Sequence, residues 1–369
     1  MRTQQRRLHP DEASFRLPLI VQDAMWVIDL GSTLPPLHLG YLNSAKSFLF
    51  TSKYSGASTN RGIITPTEKY VVMRTRALNT LWILRGLWLL VAIAAPWDLL
   101  AWHSSPVNVV LEITGWLIWA IGAVSLFAVV PVGLTAIRLI APMMFVGAVV
   151  ALPHSLRDNN PPLLCFVALL STTLCQFVLL QPSITNAMVQ GGAYGNETRL
   201  ALRTPVPYLA PAVMTWVLLA SSLMAGPLLL AAKQWILGAC ITALALGLLC
   251  VVPSRMHRLS RRWLVIVPSG IVVHDHLVLA ETMMLTSSNI SQVDLRDAPS
   301  DEADLTGGVF GSRLVIALSE SEKVVISAMT MKLLHSAEAL HVHSFAIAPL
   351  DIAQARQHIL NRMSGSISE

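Results

Sequence analysis

The sequence predicts a membrane all-α bundle of six transmembrane helices, followed by a mainly-β C-terminal domain closed by one helix. Three observations predict it. Of the 369 residues, 54% are hydrophobic and only 13% charged, well below the ~25% charged fraction usual in soluble domains. Between Thr80 and Pro253, apolar segments follow one another at the ~20-residue length that a ~30 Å hydrocarbon core demands. After Pro253 the pattern changes to short β-branched runs separated by turns.

Taken in order, residues 1–64 read as an N-terminal cytoplasmic arm. Phe15–Leu30 is apolar but broken by Pro18, Asp23 and Asp29 and too short to cross, so an interfacial or buried amphipathic helix is expected. Gly31–Gly40 reads as a loop and Ser52–Gly62 as a flexible linker. Basic Met1–Arg7 is followed by His9–Glu12 rather than an apolar run, so no signal peptide is expected. Thr65-Pro66-Thr67-Glu68 then combines an N-cap residue, a proline at the first helical position and a capping-box glutamate. It opens a helix that continues into the 65–253 block.

Within that block the spans are read at about 82–102, 107–128, 134–152, 162–181, 207–231 and 234–253. The run 107–152 is too long for one span, and Pro131, Gly133 and Arg138 mark a tight turn inside it. Trp82, Trp97, Trp102, Trp116 and Trp235 fall near span ends, where amphipathic rings favour the interface. Trp88, Trp119 and Trp216 lie deeper and read as packing residues. Cys165, Cys175, Cys240 and Cys250 all fall inside spans and read as small apolar residues, not as a disulfide framework.

Charge orients the bundle. Eleven Lys and Arg precede or open the first span and ten follow the last, whereas the short far-side loops hold Arg157 and Lys233 alone. By the positive-inside rule both termini are cytoplasmic, in a multi-pass protein of the plasma membrane. The same distribution accounts for the net charge of +5, so nucleic acid is not expected as a partner.

Ionisable groups inside a span mark functional candidates. Asp98 near the end of the first span, Glu112 at similar depth in the second and His103 in their hairpin form a candidate proton or cation site. The competing reading is that the carboxylates reach headgroup water. Ser171, Thr172, Thr173 and Gln176 give the fourth span a polar face, suited to interhelical hydrogen bonds or to a substrate path. Arg138 reads as snorkelling. Pro182–Pro205 is the longest connection between spans. Its glycines at 191, 192 and 195 lack a nucleotide-binding pattern, so a structured or re-entrant turn is expected.

Residues 254–369 form the cytoplasmic β domain. Arg255, Arg258, Arg261 and Arg262 make a basic collar that would meet anionic headgroups. WLVIVP, Ser269-Gly270 and IVVHDHLVL read as a hairpin. NISQVDL is a further strand, Asp297–Gly311 an acidic loop, and Arg313–Leu318 with Lys323–Ser327 a second hairpin turning at Ser319–Glu322. His341–Ile347 adds a strand. Pro349-Leu350-Asp351 opens a helix with Ile352, Ile359, Leu360 and Met363 on one face. His274 and His276 share a strand face, as do His341 and His343. Together the four imidazoles would suit a zinc or copper ion if the strands were adjacent, against the simpler reading of two separate surface pairs.

The stretches RRWLVIVPSGIVVHD, NISQVDL, RLVIALSESEKVVIS and PLDIAQARQHIL resemble the bacterial pleckstrin-homology-like (PH-like) domains appended to membrane proteins. The resemblance implies a small curved sheet closed by one helix, serving binding or assembly rather than chemistry, and carries over no functional residue. The sequence assigns no catalytic residue, resident metal or cofactor. The expectation is a non-enzymatic membrane protein whose PH-like domain contacts a lipid surface or, through residues 263–369, a protein partner. The alternative is a transporter or channel with a polar path near Asp98, Glu112 and the fourth span.

Overall fold

Among the described residues, five helices are long and apolar enough to cross a membrane. The computed structural model describes residues 66–98, 104–157, 162–298, 302–328, 330–331 and 339–365. The expectations for Phe15–Leu30, Gly31–Gly40, Ser52–Gly62 and His103 lie outside the described residues. Helix α1 spans Pro66–Ala94, α2 Ser105–Phe127, α3 Pro131–Arg157, α4 Pro162–Leu179 and α5 Pro182–Gln190. Two more, α6 Val206–Ala231 and α7 Trp235–Ser260, form a hairpin. The five long apolar helices are α2, α3, α4, α6 and α7.

Helix α1 departs from the expected first span. It is described from Pro66 and stops at Ala94 rather than near 102. Ala95 has φ 36° and precedes Pro96, whose ring disfavours the α conformation before it and whose nitrogen cannot donate. The apolar part is therefore the shorter Leu78–Ala94. At the other extreme, α7 passes through Pro253 to Ser260, so Arg255 and Arg258 lie on the helix itself.

Close approach between helices relies on small residues. A Cβ at Gly122 would come within 2.2 Å of the Trp88 ring, and one at Gly115 within 2.5 Å of Trp97. With α2 that near, the Trp88 indole donates to Trp119 O at 3.0 Å and the Trp119 indole donates to Trp88 O at 2.9 Å. Gly226 meets Thr242 in the same way across the α6–α7 hairpin.

The segment Pro182–Pro205 is not a loop. Its first part is α5, entered at Gln181 with Pro182 at the helix start. Its last part, Thr198–Ala201, is strand β1. Strands β2 (Trp263–Val267), β3 (Gly270–His274) and β4 (Met283–Thr286) complete an antiparallel sheet in the order β1-β2-β3-β4. The β2–β3 hairpin turns at Pro268-Ser269, with Val267 opposite Gly270.

A second sheet holds β5 (Ile290–Arg296), β6 (Ala303–Asp304), β7 (Arg313–Val325) and β8 (Ala339–Ile347) in the order β5-β7-β8-β6. Only β6 runs parallel to its neighbour, which makes this sheet mixed. The expected turn at Ser319–Glu322 is absent: β7 is one strand that bulges between Ala317 and Glu322 while staying paired to β8. A bulge absorbs the extra polar residues without reversing the chain. Helix α8 (Ile352–Gly365) closes the domain, its first turn capped by Gln354 N–H donating to the Asp351 carboxylate at 2.9 Å.

The first sheet is buried on both faces. Leu200, Leu264, Ile266, Ile271, Val273 and Leu285 face a core shared with the second sheet and α8. By the alternation of side chains along a strand, Ala201, Trp263 and Val265 point the other way. There they join Leu84, Trp88, Leu134, Ile137, Ile184 and Met188 of the helices in one continuous core. Residues 201–203 also tie the two sheets together. Leu202 N–H donates to Arg262 O at 3.0 Å, Arg203 N–H to Ala348 O at 2.8 Å, and Leu350 N–H to Ala201 O at 2.8 Å.

Candidate functional site at the helix–sheet junction

Four residues assemble the junction from three separate parts of the chain. The register placing Trp263 opposite His274 sets Arg262 beside Asp275 at the end of the hairpin. Arg262 Nε donates to one Asp275 oxygen at 2.7 Å and Nη2 to the other at 2.5 Å, and both side chains are 1% exposed. Arg262 Nη1 donates to Arg203 O at 2.5 Å, and Asp275 also accepts from Leu277 N–H at 3.2 Å and Val278 N–H at 3.3 Å. Arg203 in turn donates to Phe310 O at 3.2 Å and Pro349 O at 3.3 Å. A buried ion pair is tolerable only when its remaining donors and lone pairs are satisfied, as here.

This removes Arg262 from the expected headgroup collar: its guanidinium turns into the protein because Asp275 waits there. Arg255, Arg258 and Arg261 are exposed at the end of α7. Residue Asn186 of α5 makes a second bridge. Its side-chain oxygen accepts from Ala201 N–H at 3.0 Å and its amide donates to Gln354 of α8 at 3.1 Å. Sequence reasoning missed Arg203 and Asn186, whose partners include residues far along the chain, and Asp275, for which an acidic residue between two histidines was the available signal.

Beside the ion pair the aromatic and cationic groups stack. Arg199 lies 5.2 Å from the centre of the Trp263 ring, and His274 stacks on that ring at 5.4 Å. Arg199 also pairs with Glu197 at 2.7 Å. His274 and His276 sit 6.1 Å apart. Burial pushes the His276 imidazole down to about 4; His274, Arg258 and Arg261 add to the depression and Asp275 opposes it. Burial also lowers His274, helped by Arg261 and Arg199 against Asp275. His341 and His343 lie exposed on β8, in the other sheet. The four imidazoles therefore form two separate pairs, and the described residues hold no group of three or more metal-ligating side chains.

At the far end of the bundle, Asp98 and Glu112 are exposed and within electrostatic reach of each other. The fourth-span hydroxyls turn to their own helix, Thr172 donating to Ala168 O at 2.8 Å and Thr173 to Leu169 O at 2.6 Å. Gln176 Nε2 is buried and has no hydrogen-bond partner among the described residues. Arg138 does not reach outward but donates to Thr185 of α5 at 2.7 Å. On the sheet side, a polar groove of about 660 Å³ opens between residues 195–198 and α8, lined by Glu197, His358, Asn361 and Arg362.

The arrangement can hold a β domain rigidly against a helical bundle and present three arginines beside it. No known protein family, curated protein or solved structure matches the chain.

Proposed function

We propose that the chain is a non-enzymatic, multi-pass protein of the plasma membrane, with a cytoplasmic β domain that serves assembly or lipid-surface contact. The observation that carries this reading is the sharing of β1. A connection between two membrane-crossing helices supplies an edge strand of the C-terminal sheet, so the domain is held in a set orientation to the bundle. Leu78–Ala94 makes a sixth crossing, which with the charge distribution leaves both termini cytoplasmic. The domain is PH-like: two sheets enclose a core and one helix, α8, closes it, in keeping with the resemblance of its strands. Arg255, Arg258 and Arg261 attract anionic headgroups or an acidic partner at the membrane edge.

A transport reading has one observation in its favour, the mutual reach of Asp98 and Glu112. Purification from native membrane with lipid and protein identification separates the two. The scaffold reading expects a co-purifying anionic lipid or protein that is lost in an Arg255→Gln/Arg258→Gln/Arg261→Gln variant. A proton- or substrate-dependent flux abolished by Asp98→Asn or Glu112→Gln would establish transport instead.

A further inference from the structure

Two exposed aromatic residues stand at loop tips where the β domain meets the helix ends. Phe310 is 80% exposed and Tyr194 is 80% exposed, whereas Val309, next to Phe310, is only 8% exposed. A single exposed apolar side chain is ordinarily uninformative; what matters is how these two are held.

The Phe310 loop is pinned. Gly307, Gly308 and Gly311 adopt φ of 72°, 81° and 89°, conformations that suit glycine. Thr306 N–H donates to the Asp304 carboxylate at 2.8 Å and Val309 N–H to the Thr306 hydroxyl at 3.3 Å. A Cβ at Gly307 would lie 3.1 Å from Pro205, and Arg203 holds the Phe310 carbonyl. Both Arg203 and Pro205 directly precede α6, a helix apolar enough to cross the membrane, whose opening residues Val206 and Leu209 are exposed. The tip thus stands beside the point where α6 enters lipid.

Tyr194 is keyed to the bundle at another entry point. A Cβ at Gly191 would fall 1.8 Å from Val129 O, and Gly192 lies against Pro131. Val129 lies in the turn between α2 and α3, and Pro131 opens α3. Tyr194 N–H donates to the Glu197 carboxylate at 2.6 Å, and Arg199 sits 5.6 Å from the ring centre. An aromatic ring with a polar tip beside a cation suits the headgroup level, and a bare phenyl ring suits the acyl boundary just beneath.

We infer that Phe310 and Tyr194 form a two-point seat that inserts into the lipid interface and fixes the β domain flat against the bilayer. The inference rests on the membrane reading above and adds the lipid surface as the partner of these two loops. The test uses the full chain in nanodiscs of phosphatidylcholine and phosphatidylglycerol, with exposed Cys240 and Cys250 replaced by alanine. Single variants Phe310→Cys, Tyr194→Cys and, in the middle of α6, Leu218→Cys carry a nitrobenzoxadiazole label. Lipids bearing a nitroxide at a shallow or a deep acyl position are then added.

The seat predicts that labels at 310 and 194 lose more emission to the shallow nitroxide, and the label at 218 more to the deep one. Quenching at 218 without quenching at 310 and 194 overturns the seat and leaves the membrane reading intact. Quenching at only one tip overturns the two-point arrangement. No quenching at any of the three positions overturns both.

Discussion

Arg262 carries more of the architecture than any exposed arginine beside it. Its guanidinium gathers Asp275 and the Arg203 carbonyl, joining the end of α7, the β2–β3 hairpin and the lead into α6. Removing one member of a buried pair leaves an uncompensated charge, which costs about 3–5 kcal/mol. Arg262→Ala and Asp275→Ala are each expected to destabilise by that order, and the double variant by less than their sum. Chemical unfolding in detergent checks the cycle. His276 supplies a pH test. Its imidazole is depressed to about 4 by burial against an ordinary 6.5, so the unfolded chain binds the proton first as pH falls. Stability is whole above about 6.5 and declines as pH drops towards the depressed value. Melting temperatures are expected to fall more steeply for the native chain than for His276→Asn between about pH 7 and pH 5.

At the scale of elements, the junction strand is the lesson. Four residues, Thr198–Ala201, follow a glycine-containing run, too short for a period of two to show. Their partners lie beyond α6 and α7 in the chain, so no local pattern announces them. The long apolar helices were legible because lipid demands a length and a composition that any window reveals; α2, α3, α4 and α6 lie close to the expected spans. Pro96, which ends α1, stands inside an apolar run whose length alone suggests a longer span. The strands of Trp263–His274, Ile290–Arg296 and Ala339–Ile347 were equally legible from β-branched runs. The β7 bulge was not, because Ser319–Glu322 has the composition of a turn and only the pairing of β7 with β8 before and after it carries the strand through. Of the site, the exposed arginines could be read from charge, but the burial of Arg262 depended on a carboxylate at the other end of the β2–β3 hairpin. A direct consequence follows for dissection of the protein. Residues 262–369 expressed alone lack β1 and expose Trp263 and Val265, so they are expected not to fold. Sharp, dispersed amide resonances from that fragment would count against this account.

On the scale of the whole molecule, the bundle and the β domain share one core. The first sheet has Ile184, Met188 and Trp88 on one side and Phe345 and Ile359 on the other, so neither part presents a complete surface without its neighbour. That continuity suits a platform with a domain of set orientation better than a tethered module. The most direct measurement is a disulfide across the strand pair that creates it. Thr198 and Ile266 are partners in register, and opposed Cα atoms of antiparallel strands lie about 4.5–5.5 Å apart, within reach of a disulfide. The chain would carry Thr198→Cys and Ile266→Cys, alanine at the four native cysteines, and a protease site in the turn between α6 and α7. After mild oxidation in the membrane and cleavage, the two halves are expected to migrate together on a non-reducing gel and to separate on reduction. Halves that separate without reductant would contradict the account, because β1 would then not belong to the C-terminal sheet.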